Sequence, residues 1–153
     1  LLDIILNQKA PTLTGKTAIA CAKVAYRNYQ RRFYNGDFDH LSKKSAAPQR
    51  LLWASTGTKN PAESDIKYVE PLIGPGTVNT MPVATMDAYR DHGDPAERIS
   101  EDLPAAIELL DRLASDGIDL DELAEELEAE GLDKFNRPFD SLIQSIGEAG
   151  EVS

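Results

Sequence analysis

Six consecutive residues, Ser55-Thr56-Gly57-Thr58-Lys59-Asn60, gather three hydroxyls, an ammonium and a side-chain amide in one short stretch. Hydroxyl and amide groups donate hydrogen bonds and lysine adds a compact positive charge, so the set suits an oxyanion, a phosphate above all. The preceding Leu51-Leu52-Trp53-Ala54 is apolar at every position, as a strand buried on both faces is. Pro61 follows, a residue suited to the first turn of a helix. Where a strand ends and a helix begins, free backbone amides and the helix dipole favour a bound anion. A turn whose hydroxyls only satisfy nearby backbone groups has the same composition, and the residues alone leave both readings open. Ser55, Lys59, Thr56, Thr58 and Asn60 are the candidate phosphate-binding residues.

Other chemistries find less support. The Walker pattern GxxxxGK[ST] is absent, and Gly74-Pro75-Gly76 lacks the dinucleotide spacing, so it reads as a turn before a strand. Asp116, Asp119, Asp121 and Glu122 lack the spacing and central glycine of a calcium loop and fit helix capping instead. His40 and His92 stand apart, and no HExxH or Cys/His cluster exists, so no metal site is expected. Lys59 could form a Schiff base only if desolvated, and an open polar loop makes phosphate contact its better role. The single cysteine, Cys21, excludes an internal disulfide framework and reads as a small buried helix residue.

The 153 residues suffice for one domain with a sizeable core. No apolar run approaches the roughly 18 residues of a membrane span, and the opening LLDIIL lacks a basic leader, so a cytoplasmic setting is the expectation. That apolar start without methionine reads as an internal piece of a longer protein. Residues 1–60 carry ten Lys/Arg against three Asp/Glu, whereas residues 61–153 carry six against 23. The basic residues lie scattered without interleaved stacking aromatics, so nucleic acid is not an expected partner.

The elements that must position the loop follow from periodicity. After a break at Pro11–Gly15, Lys16 to Phe33 reads as a helix with Ala18, Ile19, Ala22, Tyr26, Tyr29 and Phe33 inward and Lys23 facing solvent. Residues 38–48 connect it to the strand Leu51–Ala54. A short helix over Glu63–Ile73, with Ile66, Val69, Leu72 and Ile73 on one side, leads to a second strand, Thr77–Met81. Strand, crossover, strand implies a parallel pair. A helix follows Pro82 and ends at Gly93. Ser100 should cap a helix over 101–114, and Asp119 with Glu122 should start another that Gly131 ends. A last helix spans 132–146 with Phe135, Phe139, Leu142, Ile143 and Ile146 apolar, before a frayed tail at 147–153. Two parallel strands are not a self-sufficient sheet. Either a partner supplies strands, or the chain is the tail of a larger alternating fold, and the second reading is favoured.

LLWASTGTKNP followed by SDIKYVEPLIGPGTVNTMPVATMDAYRDHG closely resembles the C-terminal part of bacterial transaldolases, in the longer branch that includes fusions to glucose-6-phosphate isomerase. KTAIACAKVAY and GLDKFNRPFDSLI resemble the same family, so the likeness covers nearly the whole chain. It implies an α/β fold: the C-terminal portion of a (β/α)8 TIM barrel, with Leu51–Ser55 as the seventh strand and Thr77–Met81 as the eighth. Residues 1–99 would hold a helix and the last two barrel units, and residues 100–146 extra C-terminal helices.

The resemblance also implies a function. The family transfers a dihydroxyacetone unit from sedoheptulose 7-phosphate to glyceraldehyde 3-phosphate through a lysine Schiff base, in the pentose phosphate pathway, without metal or organic cofactor. Other branches end the seventh strand in Ala-Ser-Phe-Arg-Asn, whose serine and arginine help hold the substrate phosphate. Here Ala54-Ser55 is kept, the arginine is absent, and Lys59 lies slightly further on. Neither Lys59 nor Lys67 stands in the family's nucleophile context, so the Schiff-base lysine is expected in an N-terminal part that this sequence lacks. The implied partners are sugar-phosphate substrates, that N-terminal half of the barrel and a possible fused isomerase domain. A reading of another class is a non-catalytic helical module whose acidic C-terminal half binds a protein.

Overall fold

The computed structural model describes Leu6, Leu13 and residues 15–151, with side chains to residue 149. The apolar opening and the break before Gly15 lie, apart from Leu6 and Leu13, outside the described residues, as do residues 152 and 153. The chain divides into two compact units, one reaching Arg112 and one beginning at Leu113.

The first unit is built on α1, Thr17–Tyr34, an alanine-rich helix with Arg31 and Arg32 in its last turn, where positive charge complements the helix dipole. A four-residue helix, α2 (Asp39–Ser42), interrupts the connection to β1, Leu51–Ala54. β2, Thr77–Thr80, pairs parallel to β1 with Leu51 opposite Thr77 and Ala54 opposite Thr80. α3, Val83–His92, starts behind Pro82 and stops at Gly93, as the sequence predicts. Tyr26, Tyr29, Leu72 and Ile99 form the buried centre, with Ile19, Ala22, Phe33, Leu51 and Trp53 packed against it. Trp53 Nε1 donates to Leu72 O at 3.2 Å, and Tyr26 Oη donates to Pro75 O at 3.1 Å, so the polar tips of buried Tyr26 and half-buried Trp53 are both satisfied.

Four expectations are corrected. Residues 63–73 form turns and one 3-10 helix, Glu70–Leu72, rather than an α-helix. Most of their backbone bonds run three residues back, as from Val69 to Ile66 O and from Leu72 to Val69 O, and Pro71 has no N–H to extend an α pattern. β1 is covered on one face only: Leu51 and Trp53 meet the core while Leu52 is half exposed and Ala54 open. Cys21 is exposed, although partial desolvation raises its thiol above the ordinary range. Lys23, expected in solvent, is buried, its ammonium donating to Arg98 O at 2.8 Å and Glu101 O at 2.7 Å. Those carbonyls stand just before α4, Leu103–Ser115, which begins two residues later than the Ser100 reading predicts, with Pro104 in its first turn.

His92, in the last turn of α3, reaches Asp65 with Nε2 to Oδ1 at 2.9 Å. Asp65, then Asp91, holds the imidazole above its ordinary pKa. A histidine raised in the folded state contributes stability fully present below about pH 6.5 and lost as pH rises through the folded value. An NMR titration should therefore place the His92 midpoint above about 6.5. Asp65→Asn should bring it down.

In the second unit, Ile118 N donates back to Leu113 O at 3.0 Å and both residues are buried. Asp119 Oδ1 then accepts from the amides of Asp121 (2.9 Å) and Glu122 (3.2 Å), the expected N-terminal cap. α5 runs unbroken from Leu120 to Glu151, through Gly131 and Pro138, so the predicted break at Gly131 and the frayed start at residue 147 do not occur. Gly131 does not adopt a positive φ, and strong helix formers flank it on both sides. A methyl there would meet nothing within 4 Å. Gly131→Ala should thus raise stability by about 0.5–1 kcal/mol in thermal unfolding, whereas a left-handed helix terminus would make the same change destabilising. Leu132, Phe135, Phe139, Leu142 and Ile146 recur at three- and four-residue steps and all are exposed, Phe135 to 82%.

Candidate functional site

The loop after β1 starts with a backbone reversal. Ser55 has φ 58°, the left-handed region that non-glycine residues seldom occupy. Such a residue costs on the order of 1–3 kcal/mol and persists only where its surroundings fix it. The reversal leaves Ser55 exposed and turns Thr56 inward, to 3% exposure. The Thr56 hydroxyl donates to Asn79 Oδ1 on β2 at 2.7 Å. From the same strand Thr80 Oγ1 donates to Trp53 O at 3.2 Å. Two side-chain bonds therefore tie the end of β1 to β2 in addition to the ladder.

Gly57 comes next, where a Cβ would lie 2.9 Å from Pro82 Cγ and 3.4 Å from Thr85 Oγ1. A side chain there would force Pro82 or the loop to shift, so glycine suits this close approach to the start of α3. Thr58 Oγ1 donates to Ser64 O at 2.8 Å, and Asn60 Oδ1 accepts the Ala62 amide at 3.0 Å, an Asx turn. Lys59, between them, is exposed.

The five predicted residues are thus sorted by the fold. Ser55 and Lys59 present their polar groups outward. Thr56 and Thr58 give their hydroxyl protons to protein acceptors, and Asn60 uses its carbonyl locally while its amide NH2 group remains a donor. An apolar cavity of about 230 Å³ lies beneath Ser55 and Thr56, lined by Ile19, Trp53, Tyr68 and Leu72 among others. Asn79 was not singled out by sequence reasoning, although an asparagine within a strand of Thr and Val is itself a signal, since strands disfavour it. Among the described residues no His, Cys, Asp and Glu cluster could hold a metal ion, and no helix is long and apolar enough to cross a membrane.

The family model described as transaldolase/fructose-6-phosphate aldolase matches residues 1–146. A transaldolase of Trichodesmium erythraeum is 45% identical over 148 residues, covering 95% of this chain and 39% of the relative. Transaldolase 2 of Nostoc punctiforme is 44% identical over 146 residues, covering 94% and 38%. A transaldolase of Thiobacillus denitrificans is 43% identical over 141 residues, covering 92% and 39%. The chain spans about two fifths of the length of these relatives.

Proposed function

Because the chain belongs to the transaldolase/fructose-6-phosphate aldolase family, we propose that it supplies the sugar-phosphate grip of a transaldolase whose nucleophile lies in the portion of the family's length that this chain does not span. The whole protein would transfer a dihydroxyacetone unit from sedoheptulose 7-phosphate to glyceraldehyde 3-phosphate through a lysine Schiff base. Ser55 donates its hydroxyl to a phosphate oxygen and Lys59 supplies the positive charge, with the Asn60 amide NH2 group as a further donor. Thr56 and Thr58 shape the loop. The observation that carries this reading is the outward placement of Ser55 and Lys59 at the carboxyl end of a parallel strand, where barrel enzymes of this architecture build their sites.

In the same reading β1 and β2 are the seventh and eighth strands of the barrel, and α1 is the helix that follows the sixth. The open face of β1, with Leu52 half exposed, would look into the barrel interior. The remaining strands, and cover for the apolar side of α5, would come from the rest of the family's length. The family match reaches residue 146 and so takes in the acidic helices, which supports reading them as family elements rather than as an appended interaction module.

A chimera tests the proposal. The portion of the Trichodesmium erythraeum relative that precedes the matched region is joined to this chain. The purified chimera is then assayed for three-carbon transfer between sugar phosphates. Restored transfer, abolished by borohydride in the presence of the ketose donor, is the expected result. A folded chimera without transfer would sink the assignment.

A further inference from the structure

We propose that Thr56 and Asn79 form a positioning pair, in which a side chain of the neighbouring strand sets the orientation of the anion-gripping loop without touching the ligand. The inference rests on the phosphate role given above to Ser55 and Lys59.

Three observations lead to it. Ser55 stands in the left-handed region with its side chain exposed, so nothing in its own packing holds it there. Its constraint must come from its neighbours in the chain. On one side Ala54 is fixed by pairing with Thr80 in the ladder. On the other side Thr56 is buried, and its hydroxyl is 2.7 Å from Asn79 Oδ1. Asn79 opposes Trp53, two residues before Ser55, so the bond runs back across the reversal and closes it. The position of Asn79 supports the same reading. Strands favour β-branched residues, and the flanking Val78 and Thr80 obey that preference while Asn79 departs from it. An acceptor for a buried hydroxyl is what that departure provides, since a buried hydroxyl without a partner is costly. At Gly57 a Cβ would meet Pro82 at 2.9 Å, so the loop passes close to the start of α3 on that side. The Thr56–Asn79 bond thus transmits the geometry of the sheet to Ser55, and through it to the direction in which its hydroxyl points.

The test uses the chimera described above, carrying Thr56→Val, Thr56→Ser, Asn79→Ala and the double change Thr56→Val with Asn79→Ala. Valine keeps the volume of threonine and removes the hydroxyl. Thr56→Val and Asn79→Ala should each lower kcat/KM for a phosphorylated ketose about tenfold, about one lost hydrogen bond's worth, chiefly through KM. Competition by inorganic phosphate should weaken by the same factor. Thr56→Ser should recover most of the loss, and the double variant should be no worse than either single one, because both remove the same bond. A crystal structure of the Thr56→Val variant should show Ser55 out of the left-handed region. Additive losses in the double variant, no recovery by serine, or a Ser55 that keeps its positive φ without the bond would each overturn the pair. Failure of the phosphate reading shows differently, as a parent chimera in which inorganic phosphate does not compete with the sugar phosphate. The φ of Ser55 in the Thr56→Val crystal then decides the positioning role by itself.

Discussion

If Ser55 and Lys59 grip the phosphate as proposed, Ser55→Ala combined with Lys59→Ala should lower kcat/KM for a phosphorylated ketose by about two orders of magnitude or more in the chimera. A hydrogen bond to a charged group contributes about 1.5–3 kcal/mol, which is about a 10- to 150-fold change for each donor removed. The exposure of Lys59 places its share toward the low end, since water screens an open ammonium. The loss should appear mostly in KM, because a phosphate distant from the reacting carbon is held in both ground and transition states. Any share in kcat measures how far that remote grip is used to orient the reacting end. The preference for a phosphorylated ketose over its unphosphorylated counterpart is the informative readout, because a general folding defect would lower both rates together. Raising the salt concentration should weaken the parent chimera toward the variant, as expected of an open charge contact. A double variant that keeps its preference for the phosphorylated ketose would remove Ser55 and Lys59 from the site.

How far this was legible in the sequence depends on the scale of the interaction involved. α1, β1, β2 and α3 follow from local signals: an alanine-rich helical stripe, two short apolar or β-branched runs, and Pro82 and Gly93 as punctuation. The loop was legible as a gathering of donors, because composition alone announces it. What composition could not say is which donors point outward. That depends on one φ angle at Ser55 and one bond to a residue 23 positions away, neither of which has a periodic signature. Lys23 was misplaced for the same reason. Its charge argued for solvent, yet two carbonyls 75 and 78 residues further along receive its ammonium. At Gly131 the error ran the other way. A local stop signal was overruled by the helix formers around it: Gly131 keeps a negative φ, so the left-handed turn by which a glycine commonly closes a helix does not form there. The apolar stripe of α5 was read correctly as a stripe, and its exposure belongs to a level that the periodicity of one helix cannot report.

Support for the loop reaches back to the turn that launches β2, and there a single methyl group should be costly. At Gly74 a Cβ would lie 2.2 Å from Ile99 Cγ2 and 3.1 Å from Ile99 Cβ. Ile99 cannot simply retreat: its own amide and that of Arg98 both donate to Ile73 O, each at 3.0 Å, one residue before the glycine. Ile99 is fully buried and packs with Tyr26, Tyr29 and Leu72. Gly74→Ala should therefore destabilise the protein by about 1–3 kcal/mol, the range for forcing extra volume into a packed core. Ile99→Ala should cost about 2–5 kcal/mol through lost burial and the cavity left behind. Combined, the two changes should cost at least about 1 kcal/mol less than their sum, because the new methyl enters space that the lost side chain vacates. Urea unfolding of the chimera, with the single and double variants compared at equal m-values, measures the coupling. Strict additivity would mean that Gly74 is required for something other than this contact. The coupling would also explain a restriction on the site, since Asn79 follows this turn by five residues and can meet Thr56 only if β2 begins in its present register.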